Sequence, residues 1–152
     1  MRQVAEASKA EQIFNGHTMN LAELKQISDV DETLIGMWQT YITERYYENP
    51  VTLSEFFSKF TAMFGYFYII VNKYKLSTDE SVAKQTKAIY DTMAGESASK
   101  IDGLVRRSER DLRAKSEYYL SQVSWAKGCV NSMQTMLRLY GDESKMTGGN
   151  NA

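Results

Sequence analysis

The amino-acid sequence predicts an all-α fold, and three observations support this class. Pro50 is the only proline among 152 residues, eight residues are methionine, and apolar positions recur with the period of a helix, about 3.5 to 3.6 residues. The hydrophobic content of 43% is enough to build a core. We expect one domain at residues 1–143, with acidic helices at 1–50 and an aromatic helix plus a long helix at 51–143, followed by a disordered tail at 144–152.

Helix limits in the first part of the chain are predicted from Pro50 and from capping patterns. A short helix near residues 2–14 is expected, and a loop at 15–18 follows it. A second short helix begins at Leu21, and a further helix runs from about Val30 to Glu48, where Pro50 stops it. The residues that suit these helix starts are paired three positions apart: Asn20 with Glu23, and Asp29 with Glu32.

The same signals divide the rest of the chain into three further helices. They run from Leu53 to about Lys75, from Thr78 to about Met93 with Gly95 as a C-cap, and from Ser108 to Gly141 after a short helical turn. The corresponding capping pairs are Thr52 with Glu55, Ser77 with Glu80, and Ser108 with Asp111.

The long helix from Ser108 carries an apolar stripe with the period of a coiled coil. Its members alternate at spacings of four and three residues: Tyr119, Val123, Ala126, Val130, Met133, Leu137 and Tyr140. A second stripe widens the apolar face: Tyr118, Trp125, Cys129 and Met136. Because a face this wide has room for two neighbours, we expect a homo-oligomer larger than a dimer. The first stripe and the helix from Phe56 to Val71 would make the subunit contacts.

Charge is distributed unevenly, although the net charge of the chain is only −1. Residues 1–58 contain four basic and nine acidic side chains, whereas residues 100–138 contain eight basic and four acidic ones. Four of the seven arginines fall within eight residues: Arg106, Arg107, Arg110 and Arg113. Such a patch either attracts an anion or forms weak ion pairs with Glu109, Asp111 and Glu117 on a solvated helix face, and the residues leave both interpretations open.

The run from Ala62 to Val71 is apolar on every side of a helix. It is ten residues long and Asn72 and Lys73 follow it, so it is well short of the roughly 20 residues that span a bilayer. We therefore expect a core or interface helix and no membrane partner. Aromatic residues beside basic residues also bind single strands by stacking. The alternative candidates for base contacts are Tyr66, Phe67, Tyr68, Tyr74 and, on the long helix, Tyr118.

Residues for catalysis or metal binding are sparse. His17 is the single histidine and Cys129 the single cysteine, which excludes a histidine-containing triad, a two-histidine metal site and a cysteine zinc cluster within one chain. The isolated glycines form no phosphate-binding loop. The acidic cluster at Asp29, Asp31 and Glu32 suits a helix start. We expect no enzymatic activity, no cofactor and no metal.

The lone Cys129 and the first residues indicate the compartment. A disulfide within one chain is impossible, which favours a reducing environment. No apolar segment of a signal peptide follows Arg2. We expect a cytoplasmic protein.

Several segments near the C-terminus form a pattern that is found in one protein family. They are Lys100-Ile101-Asp102-Gly103-Leu104-Val105, Ser108-Glu109-Arg110-Asp111-Leu112, Ala114 to Tyr119, Trp125-Ala126, and Gln134 to Gly141. Together with Tyr66 to Ala94 they resemble the C-terminal half of the phage recombination-mediator (UvsY-like) family. In that family a helix with aromatic residues and lysines precedes a short helix and a long helix rich in Tyr, Ala and Arg. The resemblance covers about residues 62–143.

The resemblance implies a non-enzymatic homo-oligomer that binds single-stranded DNA and helps load a recombinase onto strands covered by a single-strand binding protein. It would act in the host-cell cytoplasm if a phage encodes it. The DNA contacts carried over are the basic residues of the matching segment: Lys73, Lys75, Lys84, Lys87, Arg106, Arg107, Arg110 and Arg113. Repetition of this patch in a ring would strengthen the phosphate contacts. The acidic first third departs from the family pattern and would repel a strand nearby.

A second hypothesis belongs to a different class: a phage structural or assembly protein, or an inhibitor that binds a host protein. The apolar stripes would then make subunit contacts, and the arginines would pair with acids of a neighbouring subunit, with no nucleic-acid contact. The sequence leaves the two hypotheses open. The salt dependence of binding to oligo-dT separates them, because phosphate neutralisation weakens steeply with salt.

Overall fold

The computed structural model describes residues 21–149, and of these the side chains of residues 21–145. In this range it contains three α-helices and no strand: α1 at Leu21–Thr43, α2 at Pro50–Thr92 and α3 at Ala98–Gly149. A 3-10 helix at Tyr46–Glu48 lies between α1 and α2. The prediction of an all-α fold is confirmed.

Some predictions fall on positions outside the described residues. These are the helix near residues 2–14, the loop at 15–18 with His17, the cap at Asn20 and the last three positions of the chain. The predicted helix end at Gly141 is wrong, since α3 continues through this glycine to Gly149. Residues 144–149 of the predicted tail therefore belong to α3.

Each helix is longer than the sequence signals predicted. α1 has no break before Val30, α2 has none at Ser77, and α3 has none at Ser108. At the predicted start at Thr78, the threonine hydroxyl donates to the carbonyl oxygen of Tyr74, four residues back, at 2.9 Å. A threonine that is satisfied in this way stays inside a helix and does not mark its start.

Pro50 begins α2 and does not stop the helix before it. The side-chain oxygen of Asn49 accepts hydrogen bonds from the backbone N–H groups of Val51 and Thr52, at 2.9 and 3.2 Å. Proline is favoured as the first helical residue because its missing N–H needs no partner there. Asn49 is therefore the N-cap, and the predicted capping pair of Thr52 and Glu55 is wrong.

The two connections use the left-handed backbone region. The predicted helix end at Glu48 is wrong, since α1 ends at Thr43 and Arg45 adopts φ 53° and ψ 47°. After α2, Gly95 has a φ of 100°, a conformation that favours glycine and agrees with its predicted role as a helix cap. Both connections are short, so each joins two helices that are neighbours in space.

The helices contribute to two compact units. The aromatic unit comprises Asp29–Tyr68 and, within the described residues, 121–149. The cationic unit comprises Ile69–Leu120 and, within the described residues, 21–28.

The aromatic unit has a core of stacked rings. The ring centroids of Trp38 and Tyr41 are 4.5 Å apart, those of Tyr41 and Phe56 5.1 Å, and those of Phe56 and Phe60 5.7 Å. Phe60 is completely buried. Ring pairs of this kind stabilise a core beyond the burial of their area. They hold α1 against the first part of α2 as an antiparallel pair.

In the aromatic unit α3 packs along the same core. Four members of its first stripe are buried: Val123, Ala126, Val130 and Met133. At one end the Gln122 amide donates to the carboxylate of the buried Asp31 at 2.9 Å, and at the other the Tyr140 hydroxyl donates to the carbonyl oxygen of Tyr47 at 2.6 Å. These two contacts orient α3 parallel to α1 within this unit.

The cationic unit is an antiparallel pair made by the end of α2 and the start of α3. The ring of Tyr74 packs edge-on against Tyr119, with centroids 6.3 Å apart. Its buried apolar residues include Val71 and Val82, and its buried positions also include hydroxyl side chains: Thr78, Ser81 and Ser116. The core of this unit is thinner and more polar than the ring cluster of the aromatic unit.

Candidate nucleic-acid interface

All eight predicted DNA contacts lie in the cationic unit. Four are on α2 and four are on α3. Seven of them are exposed: Lys73, Lys75, Lys84, Lys87, Arg106, Arg107 and Arg110. Counted over its described residues, this unit has eleven basic and nine acidic side chains, whereas the aromatic unit has five and eight. The excess positive charge therefore belongs to one unit, and it is available at the surface.

Arg113 differs from the other seven cations, because two carboxylates hold it. Its Nη1 lies 2.6 Å from Oδ1 of Asp79 on α2, and its Nε lies 3.0 Å from Oε1 of Glu109 one turn earlier on α3. These charge-assisted hydrogen bonds, first to Asp79 and then to Glu109, raise the pKa of the guanidinium above its ordinary value. Arg113 therefore joins the two helices and is largely neutralised.

The remaining arginines are much less engaged. The Nε of Arg110 is 3.8 Å from Oδ1 of its neighbour Asp111, and both side chains are exposed, so this pair contributes little. Within residues 21–145 neither Arg106 nor Arg107 forms an ion pair. Of the four clustered arginines, Arg106 and Arg107 are therefore unpaired and Arg110 is weakly paired. Arg113 has a structural role.

A groove lies between α2 and α3 inside the cationic unit. Its volume is about 790 Å³. The α2 wall is made by one helix face, with residues at spacings of three and four: Ser81, Lys84, Gln85, Ala88 and Thr92. The α3 wall has the same spacing: Leu104, Arg107, Ser108, Asp111 and Leu112. Lys84 and Arg107, both predicted DNA contacts, are thereby brought together on opposite walls.

Sequence reasoning missed the groove and the partner of Arg113. Ile89, Met93 and Leu104 are half-buried in the groove and look like ordinary core positions in the sequence. Asp79 is 34 residues from Arg113, so no local spacing rule pairs them. The pairing of Arg113 with Glu109, by contrast, follows from the spacing of four residues on one helix.

The apolar stripe predicted for subunit contacts is mostly used inside the chain. Four of its members are buried in the aromatic unit, as described above, and three are half-buried: Tyr119, Leu137 and Tyr140. Of the second stripe, Cys129 is buried and Tyr118 is exposed. On α2, Ile69 and Leu76 are 55% and 64% exposed and lie on one face.

The aromatic residues considered for base stacking divide into two groups. Tyr74 is 2% exposed, so its ring has no face open to a base. Tyr66, Tyr68 and Tyr118 are exposed. Phe67 is completely buried, so the expectation that Phe67 or Tyr74 stacks on bases is wrong. Of the exposed candidates, Tyr118 lies in the cationic unit.

Other chemistry is limited in the described part of the chain. Residues 21–145 contain no group of three or more His, Cys, Asp or Glu side chains arranged to hold a metal ion. Burial raises the pKa of the Cys129 thiol to about 11. None of the described helices combines the length and apolar character that crossing a membrane requires.

Comparison with protein-family models, curated proteins and solved structures gives no match for this chain.

Proposed function

We propose that this protein binds single-stranded DNA as a non-enzymatic accessory factor of the recombination-mediator type. The observation that carries the proposal is the concentration of exposed cations in the cationic unit, seven of which are predicted DNA contacts. Lysine and arginine side chains at a surface release counterions from a phosphate backbone, which supplies most of the free energy of sequence-independent binding. Loading of a recombinase onto strands covered by a single-strand binding protein is the role that the family resemblance adds.

Self-association forms part of the proposal. One chain offers a single patch of exposed cations, and a single patch of this size binds weakly. Several copies that hold one strand raise the effective concentration of each patch, and avidity then exceeds the affinity of one copy. The exposed Ile69 and Leu76 on α2 are apolar surface that subunit contacts would cover.

The test compares two double variants with the same loss of charge. Arg106→Gln with Arg107→Gln removes two unpaired cations from the cationic unit, whereas Lys127→Gln with Arg138→Gln removes two exposed cations from the aromatic unit. Fluorescence anisotropy with labelled oligo-dT at about 50 mM salt measures the affinity, since phosphate contacts are strong there. We expect the first variant to bind roughly tenfold to a hundredfold more weakly, because hydrogen bonds to charged groups are lost. The second variant should bind like the parent.

A specific outcome would favour the other class of function. If the parent chain does not bind oligo-dT at this salt concentration, the DNA proposal is wrong. The structural or host-protein-binding alternative then takes its place.

A further inference from the structure

The groove of the cationic unit combines an apolar floor with one cation on each wall. Ile89 of α2, Met93 just after α2, and Leu104 and Leu112 of α3 are half-buried there, so they are packed on one side and open on the other. Apolar side chains that line a concave surface favour a ligand with an apolar face. By itself, the apolar floor fits any ligand that has an apolar face.

The charged side chains at the rim of the groove favour an anionic ligand. Lys84 and Arg107 face the groove from opposite helices, and within residues 21–145 neither has an ion-pair partner. Asp111 is the single carboxylate of the lining, and it lies 3.8 Å from Arg110. The rim is therefore net positive, and its charge is complementary to an anion that reaches in from solvent.

Polar groups in the lining are a third feature that a ligand of the groove must match, after the apolar floor and the positive rim. The Gln85 amide and the Ser108 hydroxyl offer both donors and acceptors beside the apolar floor. A ligand that fits all three features has a flat apolar face, a polar edge and an attached anion. An unstacked nucleotide of a single strand has this chemistry, and a volume of about 790 Å³ falls in the usual range of small-molecule sites, roughly 300–1,000 Å³.

We propose that the groove takes an unstacked base of the bound strand, with Lys84 and Arg107 on the adjoining phosphates. The proposal rests on the proposed function, since it names where a base would enter. The proposal explains why the protein would prefer single strands to duplex DNA. A base that is paired in a duplex must first leave the duplex before it can enter the groove. The proposal also assigns base contacts to aliphatic side chains, with the predicted tyrosines in no direct role.

The test fills the groove and leaves every charge in place. Ala88 is exposed on the groove-lining face of α2, and Ala88→Phe puts a ring where the base would lie. Ala83→Phe is the matched control, because Ala83 is exposed on the same helix and lies outside the groove. Circular dichroism and urea unfolding establish that both variants fold like the parent.

Two probes of equal length and charge are compared by anisotropy: oligo-dT and an abasic oligonucleotide that keeps the phosphates and lacks the bases. We expect the parent to bind oligo-dT about tenfold more tightly than the abasic strand for one inserted base. Ala88→Phe should remove this preference by weakening oligo-dT binding alone, and Ala83→Phe should keep it.

Any other outcome contradicts either the base proposal or the proposed function. If the parent binds both probes equally, or if Ala88→Phe keeps the preference, the groove takes no base although the strand still binds to the cations. If the parent binds neither probe, the proposed function itself fails. If a synthetic Glu- and Leu-rich helical peptide binds the parent and Ala88→Phe abolishes that binding, the groove is a protein-docking site and the base proposal is wrong.

Discussion

The two units of this chain are built from the same helices but are stabilised in different ways. In the aromatic unit, rings from α1 and α2 stack on one another, and α3 adds an apolar stripe. In the cationic unit, the helices are joined by the ion pair of Arg113 with Asp79 and pack over buried hydroxyl groups such as those of Thr78 and Ser116. We infer that the aromatic unit provides most of the stability, whereas the cationic unit provides the exposed charge and the groove.

The largest effect is expected from truncation of the ring core. Phe60 is completely buried and contacts both Trp38 and Phe56. Phe60→Ala should lower the free energy of unfolding by about 3–5 kcal/mol, because it loses apolar burial and leaves a cavity. Urea unfolding measures the change, with Tyr68→Ala as an exposed aromatic control. A loss below about 1 kcal/mol for Phe60→Ala would contradict the assignment of stability to this core.

Next in size is a pH effect from Cys129, which is also in the aromatic unit. Burial raises the pKa of its thiol to about 11, from an ordinary value of 9.0. Between these pH values the unfolded chain releases the thiol proton while the folded chain keeps it. The contribution to stability is therefore complete below pH 9 and is lost as the pH rises to about 11.

The control for this pH effect is Cys129→Ala, which cannot titrate at this position. Subtraction of its unfolding free energy from that of the parent removes the contribution of the tyrosines. The difference in unfolding free energy should fall by roughly 2–3 kcal/mol between pH 9 and pH 11, since the pKa shift is about two units and one unit corresponds to about 1.4 kcal/mol. A difference that stays constant with pH would show that the thiol is not buried in solution.

A smaller effect is expected from the ion pairs of the cationic unit. Arg113→Met removes the contacts to Asp79 and Glu109, and the arginine side chain is 30% exposed, so solvent screens part of the interaction. We expect a loss of about 0.5–1 kcal/mol in low salt, and less in high salt. Arg110→Met is the control, because that side chain is 78% exposed and should cost nothing measurable. Equal effects of the two substitutions would mean that Arg113 does not join the helices.

The sequence predicted the helical class and the position of the cations, because both follow from local pattern. Periodicity placed the stripe from Val123 to Met133 on one face of α3, and that face is buried. Capping signals were less reliable, because hydroxyl groups such as that of Thr78 are satisfied by the preceding turn of the same helix. Contacts distant in sequence were not predictable from spacing, and the pairing of Asp79 with Arg113 and the groove beside it depend on such contacts.

The central claim is that phosphate contacts belong to the cationic unit, and the salt dependence of oligo-dT binding tests it most directly. For single strands the logarithm of the binding constant falls with the logarithm of salt concentration by about 0.7 per phosphate neutralised. The double variant Arg106→Gln with Arg107→Gln loses two phosphate contacts for each bound chain. Its slope should therefore be shallower than the parental slope by roughly 1.4. The variant with Lys127 and Arg138 replaced by glutamine should keep the parental slope. Equal slopes for all three proteins, or a change in the Lys127 and Arg138 variant alone, would contradict the claim.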